Sequence, residues 1–519
     1  RFGGADRTTR EVKSAWDDHF SRHSSTRPGL GGHPPGPRAR NRCGSEVEHL
    51  VPRKRTNPAC VLDTLVPVTS SDAAARGGAP RRPEGRPLSF VHITQLSNLL
   101  AEARRYPQGV ARADLCETLT MGRNAVDRRI KTALGLGLLT PAGRGESTGG
   151  RAPEMWRFNP AAGTVLVLAV SYRYSVAALM DLDGAVVERV RWEEGVITPP
   201  DVLARHALEH LAALRDLGDG RPDLPDVWGL GISVPVPVDF RDGTLVPPVT
   251  EHAADRATTH PEEVSWTSFP LRRWFAERMR IATWIDDEVN VMALAAATRI
   301  GAPQDLLYIR LSLGLGMGIV SRGQVHRGAG AASGEIAHIQ MAGTSGALCR
   351  CGRHGCLETL ISGGAMEREA TTPQALRASS YLRAARQRRG AVHEHDVFRG
   401  VAERDRVCLR IVTEAADRLS VVLAVLCTTY NPGEIVLGGE VTASGRFFAQ
   451  VVDQAVRRRV LPTTSERLRV RMGGADDALV GACRLVAERM LSAHVMHVWL
   501  PHGSPAGVLE LVTHRRQDA

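Results

Sequence analysis

Lysine is nearly absent from this chain. Among 519 residues only Lys13, Lys54 and Lys131 occur, so a formal charge of +10 is carried almost wholly by arginine. That bias suits a GC-rich genome as readily as a function, and a basic balance permits nucleic-acid binding without establishing it. Cysteine is scarce too. Nine thiols, an odd number, fit a reducing compartment better than a disulfide framework. No apolar run reaches the roughly 18–20 residues that cross a bilayer. The N-terminal stretch RFGGADRTTREVKSAWDDHF lacks the apolar core of a secretory signal. These absences argue against membrane-spanning and disulfide-stapled classes, and a cytoplasmic protein is expected.

What is present divides unevenly. The length favours two or three folding units, and 43% hydrophobic residues suffice to bury their cores. Residues 1–88 are rich in Arg, Gly, Pro and Ser without apolar periodicity, so a disordered basic extension is expected. It reads as an arm touching DNA phosphates or, preferably, as an untranslated extension. From residue 89 the pattern turns helical. Ile93, Leu96, Leu99 and Leu100 share a face, VARADLCETL forms a second short helix, and TMGRNAVDRRIKTALGLGLL a third, with Thr120 as cap. A turn-rich hairpin ends in the aromatic strand EMWRFNP. Three helices and a hairpin over residues 89–160 outline a winged helix-turn-helix.

From about residue 161 to 490 strand-like runs (TVLVLAV, VAALMDL, VWGLGISV, LLYIRLSL, EIVLGG) alternate with amphipathic helices such as 408–428. That alternation predicts an α/β fold. Residues 491–519 show no clear pattern and are expected to form a loose tail.

In a helix-turn-helix the third helix presents its N-terminal residues to base edges. Here these are Arg123, Asn124, Asp127 and Arg128, with Val126 and Ile130 turned to the core. Arginine pairs with guanine and asparagine with adenine. The wing ends in Gly149, Gly150 and Arg151, where a close backbone and a guanidinium suit a minor groove.

The segment CRCGRHGCLE places Cys349, Cys351 and Cys356 within eight positions. Gly352 and Gly355 allow a tight loop, and His338 upstream supplies the fourth ligand of a tetrahedral zinc. A closed four-ligand site leaves no place for catalytic water, so the zinc is expected to be structural.

Together SGEIAHIQM, CRCGRHGCLE, IVLGG and the preceding GESTGGRAP resemble the ROK family (repressor, open reading frame, kinase), over roughly residues 93–487. The resemblance implies a two-lobed actin-like, hexokinase-like domain behind the winged helix. It implies a sugar site at Glu335 and His338 from SGEIAH, Glu358 after the last cysteine, and Asp287 and Glu288 from DDEVN. Glu288 stands at the catalytic-base position, where the family has aspartate, and Asn290 is kept. The phosphate loops depart from the family pattern. AVSYRYS replaces D-x-G-G-T-K, and Leu313 in SLGLGMG replaces a threonine. Phosphoryl transfer rests on positioning around Mg-ATP, and a base misplaced by about 1 Å can cost on the order of 100-fold. The expectation is therefore not an enzyme but a regulator, read as a repressor of carbohydrate genes. Its partners would be operator DNA and a sugar effector, as a homodimer or homotetramer. An active kinase with a fused DNA-binding domain, and a constitutive repressor with a vestigial pocket, are the rivals.

Overall fold

The computed structural model describes residues 88–146, 152–221, 224–246, 266, 269–342 and 347–513. The expected extension, the wing residues Gly149, Gly150 and Arg151, and the last six residues lie outside the described residues.

Helix α1 (Phe90–Arg104) buries Leu96, Leu99, Leu100 and Ala103, the single face that the sequence periodicity marked. Helices α2 (Arg112–Thr118) and α3 (Arg123–Gly135) follow. Val126 and Ile130 of α3 are buried, as expected. Thr120 does not cap α3. It takes a left-handed backbone at φ 52° in the turn, and Gly122 occupies the cap position. Strands β1 (Val110–Ala111), β2 (Leu139–Arg144) and β3 (Glu154–Phe158) form an antiparallel sheet with β3 in the centre.

Two five-stranded sheets follow, built on one plan. In the first, β4 (Thr164–Val170), β5 (Ser175–Asp181) and β6 (Val186–Trp192) make an antiparallel meander. After helix α4 (Pro200–Gly220), β7 (Val227–Val234) and then β8 (Thr283–Asp287) add in parallel, giving the order β8-β7-β4-β5-β6. In the second, β9 (Leu306–Leu311), β10 (Leu315–Ser321) and β11 (Gln324–Val325) meander, and β12 (Glu434–Gly438) and β13 (Arg469–Met472) extend the sheet in parallel from β9. All seven residues of β4 are buried, as befits a strand covered on both faces, whereas edge strand β6 carries Glu188, Arg189 and Arg191.

The helices that bear on function are α5 (Glu288–Thr298), α6 (Gly363–Ala370), α7 (Glu394–Ala402), α8 (Arg406–Tyr430) and α9 (Asp477–Met490). Among the described residues no helix is long and apolar enough to cross a membrane.

The C-terminal segment corrects the expectation of a loose tail. Residues 493–499 form helix α10 (Ala493–Trp499), with Val495, Met496 and Trp499 buried. The Trp499 indole donates to the Met490 carbonyl at 2.8 Å. The helix packs beside α1, where the Ser97 hydroxyl donates to the Leu491 carbonyl at 2.6 Å and Phe90 meets the His494 ring at 5.1 Å. One continuous apolar core therefore runs from α1 through β4 and α9 to Leu511.

Candidate functional site

The carboxyl ends of β4, β7, β8 and β9 face one cleft, the place where open α/β sheets hold ligands. Its walls include Tyr172, Pro235, Val236, Asp287, Glu288, Asn290, Arg310, Glu335, His338 and Arg350.

One wall rests on the cysteine loop. Cys349, Cys351 and Cys356 are 2%, 4% and 0% exposed, and with His338 they place four donor atoms within 4.8 Å of one another. Cys351 Sγ lies 3.5 Å from Cys356 Sγ, and Cys349 Sγ lies 3.5 Å from His338 Nδ1. A tetrahedral zinc with Zn–S near 2.3 Å sets edges of roughly 3.7 Å, so the donors stand close to the spacing such an ion requires. Gly352 and Gly355 turn the loop through left-handed backbone at φ 80° and 71°. The four residues could hold a metal ion. The His338 ring also borders the cleft, so the metal cluster and the cleft wall share a side chain.

Glu335 and His338 reach the cleft because Gly334, at φ 95°, presses its backbone against Met317. A Cβ there would collide with the Met317 carbonyl. Glu335 stays accessible at the cleft mouth, so water moderates the rise that partial burial gives its pKa. Asp287 ends β8 and caps α5, accepting from Val289 N at 2.8 Å. Burial drives its pKa well above the ordinary carboxylate value, and Glu335, Asp286 and Glu288 add to the rise. Its neighbour Asp286 is held by Arg327 at 2.6 Å and by the Asn290 amide at 3.2 Å.

The opposite side is filled by the chain itself. Glu288 and Arg310 are 6% and 5% exposed and meet at 2.8 Å as an ion pair, without the alignment of a hydrogen bond. The Ser171 hydroxyl donates to Glu288 at 3.4 Å. Burial lifts the Glu288 pKa, against the pull of Arg310. The β4–β5 turn carries Tyr172 into the cleft and sets Arg173 and Tyr174 beside it. Arg350 donates to the Tyr172 hydroxyl at 2.8 Å, Tyr174 donates to Glu440 at 3.3 Å, and Arg173 pairs with Glu367 at 3.1 Å. Burial pushes the Tyr174 phenol up to about 12. The first amides of α6 are engaged as well, with Gly363 and Gly364 donating to the Ser312 and Leu313 carbonyls. Gly438 and Gly473 have a packing reason, since a Cβ on either would collide with the Tyr308 hydroxyl.

The structure thus brings Asp287, Glu288, Glu335 and His338 to one cleft, and His338 to the three cysteines. Glu358 is 8% exposed and turns to Arg350, at 3.1 Å, instead of opening into the cleft. In the N-terminal helices Arg123, Asn124 and Arg128 are exposed along α3. Asp127 is already paired with Arg112 at 3.1 Å. Arg310 and Arg350 were missed by sequence reasoning. The signal was an arginine inside each of two quoted motifs, at positions flanking the ones weighed.

A sequence profile of the ROK family matches residues 172–489, more than half of the chain. A xylose repressor of Caldicellulosiruptor bescii is 22% identical over 390 residues, covering 74% of this chain and 93% of that protein. A glucokinase of Halalkalibacterium halodurans is 28% identical over 269 residues, covering 51% of this chain and 77% of the enzyme. Among solved structures, a ROK family transcriptional regulator described as a homologue of the Escherichia coli MLC protein superposes with a TM-score of 0.64 at 19% identity, covering 80% of this chain and all of the other. That likeness speaks to the fold, and its two five-stranded sheets of one order are the mixed α/β, actin-like kinase architecture. On the extent of the profile match, the chain belongs to the ROK family.

Proposed function

We propose that the chain is a sugar-responsive, DNA-binding transcriptional regulator whose ROK domain senses a sugar and does not phosphorylate it. The observation that carries this reading is the occupied phosphate side of the cleft. Tyr172, Tyr174, Arg310 and Arg350 stand there, and Glu288, at the base position, is spent on Arg310. A general base must be free to take a proton from the attacking hydroxyl. The xylose repressor of Caldicellulosiruptor bescii is matched over 93% of its own length and 74% of this chain, which supports the regulator reading.

In this reading residues 89–160 form a winged helix-turn-helix. Arg123, Asn124 and Arg128 read base edges, Asp127 positions Arg112 against the backbone, and Arg151 grips the minor groove. A sugar is held by Asp287, Glu335 and His338 directly. Glu288 borders the sugar while keeping Arg310, and Glu358 joins by exchanging its arginine partner for a hydroxyl. The cysteine cluster and His338 hold a structural zinc that fixes the sugar-lining loop. Two protomers present two helices α3 to paired half-sites, and lobe closure around the sugar changes their spacing. Repression is the expected sign.

The test is a calorimetric titration of Mg-ATP into zinc-loaded protein, beside operator binding across a sugar panel. No nucleotide heat at millimolar concentration is expected, with at least one sugar shifting operator affinity by about 5–150-fold. Micromolar ATP binding with turnover would instead favour the glucokinase-like alternative.

A further inference from the structure

A second group of metal-binding side chains lies apart from the cysteine loop. Glu367 is on α6, Glu394 opens α7, and His393 immediately precedes it. Their donor atoms lie within 4.8 Å of one another. A first-row divalent ion with bonds of about 2.0–2.2 Å sets donor spacings of roughly 3–4.3 Å, so small side-chain rotations close the set.

The cluster lacks a positive partner where it is most enclosed. Glu394 is 7% exposed, and its Oε2 is buried without any hydrogen-bond partner. It faces the carboxylate of Glu367, whose Oε1 already accepts from the Glu394 amide at 2.9 Å. His393 Nδ1 stands 3.4 Å from the same Oε1 and is likewise unpaired in hydrogen-bonding terms. Arg173, reaching over from the β4–β5 turn, makes its direct contacts with Glu367 and offsets only part of the rise at Glu394. Two carboxylates so placed need either a shared proton or a cation between them. Burial, then Glu367, lift the Glu394 pKa to about 7, even at a helix N-terminus that favours its charge.

We infer that Glu367, His393 and Glu394 form a second divalent-cation site, at the seam where the first sheet's β4–β5 turn meets the second lobe. One imidazole and two carboxylates suit a Mn²⁺- or Zn²⁺-class ion and leave coordination positions for water. The ion and Arg173 compete for Glu367, so occupancy loosens one of the ties across the cleft. This site stands independently of the sugar reading.

The experiment uses the full chain with its cysteine cluster loaded with zinc. Mn²⁺ is the probe, because it prefers oxygen and imidazole and leaves the thiolates to zinc. Free Mn²⁺ is followed by electron paramagnetic resonance. One Mn²⁺ per chain is expected, with affinity at least tenfold weaker in Glu394→Gln and in His393→Ala. Arg173→Ala should tighten binding several-fold by freeing Glu367, a gain that misfolding cannot mimic. No uptake at millimolar Mn²⁺, meaning that a shared proton suffices, would overturn the site. So would uptake that all three substitutions leave unchanged.

Discussion

The two sides of the cleft begin from the same kind of strand end and finish differently. On the side read as the sugar's, Asp287, Glu335 and His338 border the cleft, the last two beside a cysteine loop whose donors could hold a metal. On the side read as the phosphate's, charged and phenolic groups are paired within the chain, with Glu288 on Arg310, Arg350 on Tyr172 and Tyr174 on Glu440. Carboxylates and an imidazole bordering a cleft suit a ligand's hydroxyls, whereas a set of charge pairs resists a phosphate, because each pair must be broken before it can enter. On the proposed reading, such a cleft loses transfer and keeps recognition within an unchanged fold.

Removing the metal anchor tests the first half of that contrast, with the largest expected effect. Cys351→Ser takes away one of four ligands, and structural zinc contributes on the order of 10 kcal/mol to folding around it. One metal ion per chain should disappear from elemental analysis. Sugar affinity should fall by more than about tenfold, because Glu335 and His338 lose their support. Unchanged sugar affinity in the metal-free variant would separate the cysteine loop from the cleft wall.

The second half turns on the buried ion pair. Arg310→Met leaves Glu288 enclosed without its countercharge, a change that costs about 3–5 kcal/mol in buried pairs. The urea midpoint should fall accordingly. Arg310→Met with Glu288→Gln should recover most of the loss, since the pair is removed together. If the single variant were as stable as the parent, water would have to reach Glu288, and the phosphate side would be less closed than its contacts indicate.

Much of this contrast was legible in the sequence, and the missing parts share a physical reason. The histidine and cysteines that could hold a metal, and the carboxylates Asp287, Glu288 and Glu335 that border the cleft, sit in contiguous motifs. The alternating strand runs fall on β4, β5, β7, β9 and β12, and the long amphipathic run became α8, two residues longer at each end. Arg310 and Arg350 escaped notice because their meaning depends on distant partners. Arg350 meets Tyr172 across 178 positions. The pairing of Glu358 with Arg350, eight positions apart in one motif, went unread because the folded cysteine loop is what brings the two side chains together. Helix α10 was hidden by its brevity. Val495, Met496 and Trp499 share a face over only seven residues, and His, Pro and Gly on either side blur the period.

The finest test concerns Asp287, at the end of β8 on the side read as the sugar's. Its folded pKa lies well above the usual value, chiefly through burial, so the folded state binds a proton that the unfolded chain has released. Stability from that proton is fully present below about pH 4 and is lost as pH rises toward the folded pKa. Asp287→Asn keeps an oxygen to accept from Val289 N and removes the charge beside Asp286, Glu288 and Glu335. Because Asp287 is only half-buried, water moderates the gain, and about 0.5–1 kcal/mol is expected at pH 7. Thermal melts of both proteins should nearly coincide near pH 4 and separate as pH rises, with the variant melting higher. Melts that separate in the opposite direction would mean that Asp287 is ionised and favourably held in the native cleft. Both sides of the cleft would then hold their carboxylates in favourable ionised form, and the contrast between them would fall.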